Sequence, residues 1–294
     1  MKGKICLVTG GTSGLGAATA IALAQEGATT IIVGRNKHKC EQIVDKVKAV
    51  TGNSLVNYIV ADLSSFKYIH ELSEALKSRI PHLNVLINNV GAKFVKRQVT
   101  VDGYEMTLSL NYLGHFLLTH LLLDLLEKSK GARIITVASG AHEGCSNINF
   151  EDLHSQSEYN VKHAYAQSKL ANILFTYELS RRLANTEITV NALHPGGVAT
   201  NFCKNNGWIS WAKHVTAHLL ARNLVGPTEG AKTIIYLATS PAVEGITGKY
   251  FYNMKPVSSS NASYDEGMAE QLWNVSLHLT GLDRGNGLLT ELTR

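Results

Sequence analysis

Cysteine is scarce in this sequence, and the few cysteines lie far apart. The 294 residues include only four cysteines and twelve histidines. Cys6, Cys40, Cys145 and Cys203 form no CxxC pair, and no His or Cys cluster has the spacing of a metal site. We therefore expect no disulfide, no bound metal and a reducing compartment. His142 and His163 fall near the site predicted below and could contact a substrate.

The sequence also lacks a long uninterrupted hydrophobic run. Its most apolar stretch, from Tyr112 to Leu126, contains glycine, histidine and aspartate and is too short and too polar for a membrane span. The first residues lead directly into an apolar, strand-like segment, which leaves no room for the apolar core of a signal peptide. These features predict a cytoplasmic protein without a membrane anchor.

Charged and aromatic residues are sparse as well. They make up 17% and 7% of the chain, and the net charge of +5 is spread along it. Nucleic-acid-binding surfaces combine clustered basic residues with interleaved aromatic ones, so this composition argues against a nucleic-acid partner. The hydrophobic fraction of 45% is sufficient for a large buried core. The composition therefore indicates a globular protein.

Short β-branched segments alternate with longer helical patterns, which is typical of βαβ units that build a parallel sheet. The predicted strands are Ile5–Thr9, Thr29–Val33, Val56–Val60, Val85–Asn88, Arg133–Ala138, Thr189–Leu193 and Tyr250–Tyr252. The predicted helices are Leu15–Gln25, Lys39–Val50, Phe66–Lys77, Tyr104–Leu126 and Tyr165–Leu183. Several strands are apolar on both faces. The expected fold is therefore α/β, a single doubly wound Rossmann-type domain with a central parallel sheet flanked by helices.

The first predicted strand ends in a glycine-rich turn that passes directly into a helix. Glycines allow a pyrophosphate to approach the backbone, and the helix N-terminus offers free N–H groups to the anion. The GxxxGxG spacing differs from the GxGxxG fingerprint, and taken alone it fits an ordinary glycine-rich turn equally well. In this context it predicts a dinucleotide phosphate site formed by Gly10, Thr12, Ser13, Gly14, Leu15 and Gly16.

The second predicted strand ends without the acidic residue that would bind the ribose hydroxyls of NAD. Gly34 and Arg35 stand there instead. The glycine leaves room for a 2′-phosphate and the guanidinium can bind it, which favours NADP(H) over NAD(H). The alternative is a solvated basic loop, since most clusters of charge are only that.

Tyr165 and Lys169 are four residues apart and therefore lie on one face of a predicted helix. A tyrosine with an ordinary pKa is a poor acid or base at neutral pH, and a nearby cation favours the phenolate. The pair is thus suited to acid–base catalysis. Standing alone, it would be interpreted as a chance surface pair.

The order of these and further motifs resembles the short-chain dehydrogenase/reductase family over essentially the whole chain. The resemblance is carried by Thr9 to Gly16, Asp62-Leu63, Asn88-Asn89-Val90-Gly91, Asn111, Ser139, Tyr165 with Lys169, and Pro195-Gly196. Within the family, the segments 111–119, 168–172, 194–196 and 272–273 resemble the retinol-dehydrogenase-like branch. Members of that branch typically act on lipophilic carbonyls and alcohols.

The resemblance implies a catalytic set of Ser139, Tyr165, Lys169 and Asn111. Tyr165 would protonate the carbonyl oxygen as hydride arrives, and Lys169 would lower the pKa of that tyrosine. Ser139 would donate a hydrogen bond to the developing oxyanion. Asn111 would position the water through which the lysine exchanges protons.

The resemblance also implies the cofactor contacts beyond the glycine-rich turn. These are Asp62 and Leu63 at the adenine, Asn89 and Gly91 on the adenosine side, Tyr165 and Lys169 at the nicotinamide ribose, and Pro195, Gly196, Val198 and Thr200 at the nicotinamide end. Val90 replaces the alanine that is usual in the Asn-Asn-Ala-Gly motif. We expect packing to accommodate its two additional methyl groups.

The expected domain covers residues 1–294. Residues 1–130 would form mainly the cofactor-binding half and residues 131–294 the catalytic and substrate half. Residues 196–227, which include Trp208 and Trp211, would form a substrate lid; a short, ordinarily packed helix is the alternative. A homodimer could form through the long helices, with the tail after Tyr252 covering one such surface.

The resulting prediction is an NADP(H)-dependent oxidoreductase that interconverts a lipophilic ketone or aldehyde and its alcohol. Two alternatives stay open. One is an NADP(H)-binding redox sensor or scaffold without turnover. The other is an epimerase that uses the same cofactor for a net non-redox reaction. The same fold supports all of them, so only chemistry at the site can separate them.

Overall fold

An eight-stranded sheet forms the centre of the molecule. The computed structural model describes residues 1–198 and 224–284. The sheet contains β1 (Ile5–Thr9), β2 (Thr29–Gly34), β3 (Val56–Val60), β4 (Val85–Asn88), β5 (Arg133–Val137), β6 (Thr189–Leu193), β9 (Lys249–Tyr252) and β10 (Lys255–Val257). The short strands β7 (Gly197–Val198) and β8 (Leu224–Val225) pair separately, in parallel.

The strand order is β3-β2-β1-β4-β5-β6-β9-β10, and every neighbouring pair is parallel except β9 with β10. From β1 the chain builds outward to β3 on one side and then returns to β4 on the other. In a doubly wound sheet, ligands bind outside the carboxyl ends of the strands at such a reversal. The topology therefore directs attention to the ends of β1 and β4, at Thr9 and Asn88.

Helices cover both faces of the sheet. They are α1 (Gly14–Gln25), α2 (Lys37–Thr51), α3 (Phe66–Lys77), α4 (Met106–Leu108), α5 (Gly114–Leu121), α6 (Leu123–Glu127), α7 (Val161–Arg182), α8 (Pro227–Gly230), α9 (Lys232–Thr239) and α10 (Glu266–Thr280). Successive side chains of a strand point to opposite faces. Thus Leu7 of β1 packs with the core of α3, α5, α7 and α10, whereas Cys6 and Val8 pack with residues of α1 and α9.

The predicted doubly wound α/β fold is confirmed. Each predicted strand is present, with ends that differ by at most one residue. The predicted continuous helix over 104–126 is wrong in detail. It begins at Met106, because the carboxylate of Glu105 accepts hydrogen bonds from the N–H groups of Thr107 and Leu108, both at 2.8 Å. A π-helical turn over Ser109–Leu113 and a break at Leu122 then divide it.

Helices α9 and α10 were not predicted. In α10, Trp273 packs on Phe116 and Phe175, with ring centroids 5.3 and 6.1 Å apart. The hydroxyls of Tyr112 and Ser276 are 2.8 Å apart. The tail of the chain therefore covers the helical face of α5 and α7 within the same subunit. In the part of the chain that the structure describes, no helix has the length and apolar character to cross a membrane.

Candidate active site

The turn between β1 and α1 brings backbone very close to backbone. Gly10 and Gly14 have φ of +65° and +55°, which only glycine adopts freely. A Cβ atom at Gly16 would lie 2.5 Å from the carbonyl oxygen of Gly10. The N-cap residue Ser13 makes no side-chain hydrogen bond to the helix, and the first turn holds no acidic residue. The N–H groups at this helix end are therefore available to an anion.

A cleft of about 990 Å³ lies against this turn. The predicted cofactor residues that line it are Gly10, Thr12, Ser13, Gly14, Leu15, Gly16, Arg35, Asp62, Leu63, Asn89 and Gly91. They come from the ends of β1, β2, β3 and β4. The structure thus brings together residues that are up to 81 positions apart in the sequence.

The far end of the cleft is basic, and the sequence reading found only one of its cations. Arg35 lines the cleft together with Lys39 and Lys46 of α2. The seven-residue spacing of the two lysines, two turns of one helix face, was a signal that could have found them. A Cβ atom at Gly34 would lie 2.5 Å from Cγ2 of Thr12. The main chain beside Arg35 therefore packs directly on the glycine-rich turn.

Asn89 connects the ends of β1 and β4. Its side-chain Nδ2 donates to the carbonyl of Thr9 at 2.8 Å. The hydroxyl of Thr9 accepts from the main-chain N–H groups of Asn89 and Val90, at 2.9 and 3.1 Å. Cγ2 of Val90 would be 3.0 Å from a Cβ atom at Gly10. The valine that departs from the usual motif thus packs in the space that Gly10 leaves free.

Lys169 lies at the inner end of the site. Its Nζ donates to the carbonyl of Val137 at 2.9 Å and lies 5.8 Å from the ring centroid of Tyr165. The side chain is 3% exposed, and this burial lowers its pKa to about 7. A Cβ atom at Gly91 would be 3.4 Å from Nζ, so Gly91 leaves room for the ammonium group. A proton can therefore leave or join Lys169 near neutral pH.

A second ammonium group, which the sequence reading missed, also lies near the tyrosine. Nζ of Lys93 is 5.8 Å from the ring centroid of Tyr165. Lys93 follows directly after the Asn89–Ala92 segment that lines the cleft. No spacing rule joins residues 93 and 165, so only the folded chain reveals this contact.

Asn111 joins three elements from its place in the π-helical turn. Its Oδ1 accepts from the N–H of Ala92 at 2.8 Å, and its Nδ2 donates to the carbonyl of Ala92 at 2.9 Å. The same Nδ2 donates to Oγ of Ser168 at 3.0 Å. The side chain thus fixes the segment after β4 against α7, beside Tyr165 and Lys169.

Ser139 lies two residues beyond Val137, the last residue of β5, whose carbonyl holds Lys169. Its Oγ accepts a hydrogen bond from the N–H of Ala141 at 3.2 Å. Since this contact uses a lone pair, the hydroxyl proton is free to be donated elsewhere. The carbonyl of Ser139 accepts from Nδ1 of His142 at 2.8 Å. The structure does not support the expected substrate contact of His142, because its side chain is fully buried and both ring nitrogens are hydrogen-bonded to main-chain atoms.

The remaining predicted residues divide into two groups. Tyr165, Lys169, Pro195, Gly196 and Val198 do not line the large cleft itself. A Cβ atom at Gly230 would lie within 3.0 Å of both Val198 and Leu15, so Val198 lies next to the glycine-rich turn. Thr200 and most of the predicted lid over 196–227 lie outside the described residues.

Residues 4–207 match the family model of short chain dehydrogenases. The chain belongs to this family. It is 42% identical to human polyprenol dehydrogenase over 286 residues, and this alignment covers 95% of this chain and 86% of the relative. It is 41% identical over 303 residues to mouse retinol dehydrogenase 14, covering 96% and 87%. These relatives support the retinol-dehydrogenase-like branch of short-chain dehydrogenases.

Solved structures of the family agree with the fold. An uncharacterised protein from Mycobacterium paratuberculosis superposes with a TM-score of 0.76 at 32% identity, covering 95% of this chain and 94% of the other. The Pseudomonas aeruginosa protein RhlG, solved as an active-site complex with NADP, gives a TM-score of 0.70 at 26% identity and covers 85% and 94%. The short-chain dehydrogenase is therefore an oxidoreductase that uses a nicotinamide cofactor.

Proposed function

We propose that this short-chain dehydrogenase uses NADP(H) to interconvert a lipophilic ketone or aldehyde and its alcohol. The observation that carries the proposal is the position of Lys169, which is buried beside Tyr165 and next to Gly91, a residue that lines the cleft. The names of the relatives, polyprenol and retinol dehydrogenases, support a lipophilic alcohol as the substrate class.

The residues of the cleft fit a dinucleotide. The space that a Cβ atom at Gly16 would fill and the free N–H groups of α1 suit a pyrophosphate. Arg35, Lys39 and Lys46 suit the additional phosphate of NADP(H), since charge-assisted hydrogen bonds to phosphate are strong. The acidic residue that would favour NAD(H) is missing at the end of β2.

Acid–base chemistry falls to the chain's own residues. Bound NADPH would supply the hydride. In the direction of reduction, the phenol of Tyr165 donates its proton to the carbonyl oxygen of the substrate. The free hydroxyl proton of Ser139 forms a hydrogen bond to the same oxygen and stabilises the charge that develops there. In the direction of oxidation, Tyr165 accepts the proton of the alcohol.

Lys169 restores the proton of Tyr165. Its pKa of about 7 allows it to give and to take a proton near neutral pH. Because its Nζ is held by the carbonyl of Val137, the ammonium group stays beneath the tyrosine ring. The side chain of Asn111 is already bound to Ala92 and Ser168. Asn111 therefore contributes chiefly by fixing the wall of the site beside the lysine.

Turnover of NADPH with a panel of lipophilic aldehydes and ketones tests the proposal. We expect NADPH to bind more tightly than NADH, and NADPH absorbance to fall in stoichiometric proportion to the alcohol formed. Tight binding of NADPH without turnover on any carbonyl would instead support a sensor or scaffold. Product formation without net consumption of NADPH would support an epimerase.

A further inference from the structure

His142 is buried between Ser139 and the C-terminal part of the chain. It lies in the short 3-10 helix Gly140–Gly144 that follows β5, and its side chain has 0% exposure. On one side, its Nδ1 is 2.8 Å from the carbonyl oxygen of Ser139. On the other side, the main-chain N–H of Ser260 donates to its Nε2 at 3.0 Å. The ring also packs edge-on against Tyr250, with centroids 5.1 Å apart.

These two contacts determine the protonation state of the ring. A carbonyl oxygen only accepts hydrogen bonds, so Nδ1 of His142 must carry a proton. An N–H group only donates, so Nε2 must carry none. His142 is therefore the neutral Nδ1–H tautomer. Burial lowers the pKa of His142, which agrees with a ring that stays neutral.

Ser260, the partner of His142 on the C-terminal side, lies in a segment that several hydrogen bonds hold in place. Ser259, the neighbour of Ser260, is 2.7 Å from the hydroxyl of Tyr177 and 2.6 Å from that of Ser263. Its N–H donates to the hydroxyl of Tyr264 at 3.1 Å. The rings of Tyr177 and Tyr264 stack with centroids 5.4 Å apart. His142 thus connects Ser139 to a network anchored on α7.

The side chain of His142 supports the turn that carries the Ser139 hydroxyl. The carbonyl of Ser139 accepts from Nδ1 of His142 at 2.8 Å and from the main-chain N–H of His142 at 3.2 Å, and Oγ accepts from the N–H of Ala141 in the same turn. Without the shorter side-chain bond, only the longer main-chain bond would hold this carbonyl, and the turn could rotate and move Oγ relative to Tyr165. A displacement of about 1 Å in a group that touches the reacting atoms can reduce the rate about 100-fold.

We propose that His142 is a positioning residue that holds Ser139 in its reactive orientation through the Nδ1–H bond to the Ser139 carbonyl. The proposal rests on the proposed function, because it assigns a purpose to the orientation of Ser139. It adds a residue outside the Ser-Tyr-Lys-Asn set to the requirements of the reaction. His142 itself does not touch the substrate.

Three substitutions at His142 separate its two hydrogen bonds. In His142→Asn the amide nitrogen occupies the place of Nδ1 and can still donate to Ser139. In His142→Gln the amide lies at the place of Nε2, so the bond to Ser139 is lost. His142→Leu loses both bonds. With NADPH and decanal as probes, we expect kcat to fall about 10- to 100-fold for the Gln and Leu variants. KM and NADPH affinity should stay close to those of the wild type, and the Asn variant should recover most of kcat.

His120 provides the matched control. It is also buried, and its Nδ1 lies 2.7 Å from the carbonyl of Phe116, but it packs among Phe116, Phe175 and Trp273, away from Ser139. His120→Gln should lower the thermal midpoint without lowering kcat. If His142→Gln behaved like His120→Gln, with reduced stability and wild-type kcat, the role of His142 would be structural only and the proposal would be overturned.

Nitrogen-15 NMR of the histidine rings tests the hydrogen bond from His142 to the Ser139 carbonyl independently of turnover. The signal that disappears in His142→Asn identifies His142, and we expect it to show the Nδ1–H tautomer. An Nε2–H tautomer would overturn the proposal. If the wild-type protein showed the Nδ1–H tautomer but reduced no carbonyl, the proposed function would be overturned. The catalytic purpose of the hydrogen bond from His142 to Ser139 would be overturned with it.

Discussion

The cofactor end and the catalytic end of this site are built in different ways. At the cofactor end, the glycine-rich turn, with its close approach of Gly16 to the Gly10 carbonyl, and the free N–H groups of α1 are features of the main chain. At the catalytic end, side chains from distant elements meet. Lys169 of α7 reaches Val137 at the end of β5, and Asn111 reaches Ala92.

This difference explains how each end responds to substitution. The cofactor end needs small residues that leave space for a ligand, so adding atoms should damage it. The catalytic end needs specific donors and acceptors, so removing atoms should damage it. The two ends should therefore fail separately, one through affinity for NADPH and the other through kcat.

Among the substitutions that compare the two ends, the largest effect is expected at the catalytic end, for Lys169→Met. The variant loses the group that restores the proton of Tyr165, while the side chain stays long and apolar in its buried position. We expect kcat to fall about 10³-fold, within the range for the loss of an acid–base group. Stopped-flow kinetics with NADPH and decanal would measure it, together with the NADPH affinity. Equal losses in kcat and in NADPH affinity would contradict the separation of the two ends.

The next effect is expected at the cofactor end, for Gly16→Ala. Its Cβ atom would lie 2.5 Å from the Gly10 carbonyl and 2.7 Å from the side chain of Asn89, so the turn must open. We expect NADPH affinity to fall about 100-fold, as for a group that blocks a preorganised anion site. Gly267→Ala, also in the first turn of a helix but with only an ordinary contact at 3.4 Å, should bind NADPH like the wild type. Similar affinities for both variants, measured by fluorescence titration, would be evidence against this role of the turn.

A smaller effect concerns the choice between the two cofactors. Arg35→Ser removes a charged donor at the basic end of the cleft, and hydrogen bonds to charged groups contribute about 1.5–3 kcal/mol. We expect NADPH to bind about 10- to 100-fold more weakly, with NADH almost unchanged. Lys37→Ser is the matched control, because Lys37 lies only two residues further along, at the start of α2, and does not line the cleft. If both substitutions weakened NADPH binding equally, general attraction rather than a phosphate contact would explain the preference.

The smallest effect concerns the pH dependence of stability, which comes from buried histidines that belong to neither end of the site. His115 and His120 are buried, and this burial lowers their pKa values to about 3 and about 4. The folded state keeps them neutral, so their contribution to stability is full above pH about 6.5 and is lost as the pH falls towards those lowered values. Each should contribute a slope of about 1.4 kcal/mol per pH unit in that window.

Urea denaturation between pH 7 and pH 4.5 measures this slope. His120→Phe should reduce the slope by the contribution of one proton, about 1.4 kcal/mol per pH unit. Substitution of the exposed His70 should leave the slope unchanged. A slope that does not depend on His120 would show that other groups dominate the acid sensitivity.

The sequence was most informative where function depends on the main chain. Short, continuous apolar segments predicted the strands, because burial on both faces of a parallel sheet leaves that pattern. The glycine-rich turn and the spacing of Tyr165 and Lys169 are local, so they could be read directly. The basic residues Lys39 and Lys46 were equally local but were not identified.

Long-range contacts between side chains left no comparable trace. The bond from Ser260 to His142 spans 118 residues, and Lys93 meets Tyr165 only after folding. The packing of α10 on α5 and α7 is of the same kind, since the partners of Trp273 are set by the fold. Spacing within one element predicts a shared face, but not which distant residue will face it.

The most direct measurement is the rate of NADPH oxidation by Tyr165→Phe with decanal, compared with the wild type at saturating NADPH. Phenylalanine preserves the ring above Lys169 and removes only the hydroxyl that would exchange the proton. We expect NADPH to bind with wild-type affinity and turnover to fall by about 10³-fold or more. Turnover within a few-fold of the wild type would contradict the account, because the proton would then have to come from another group.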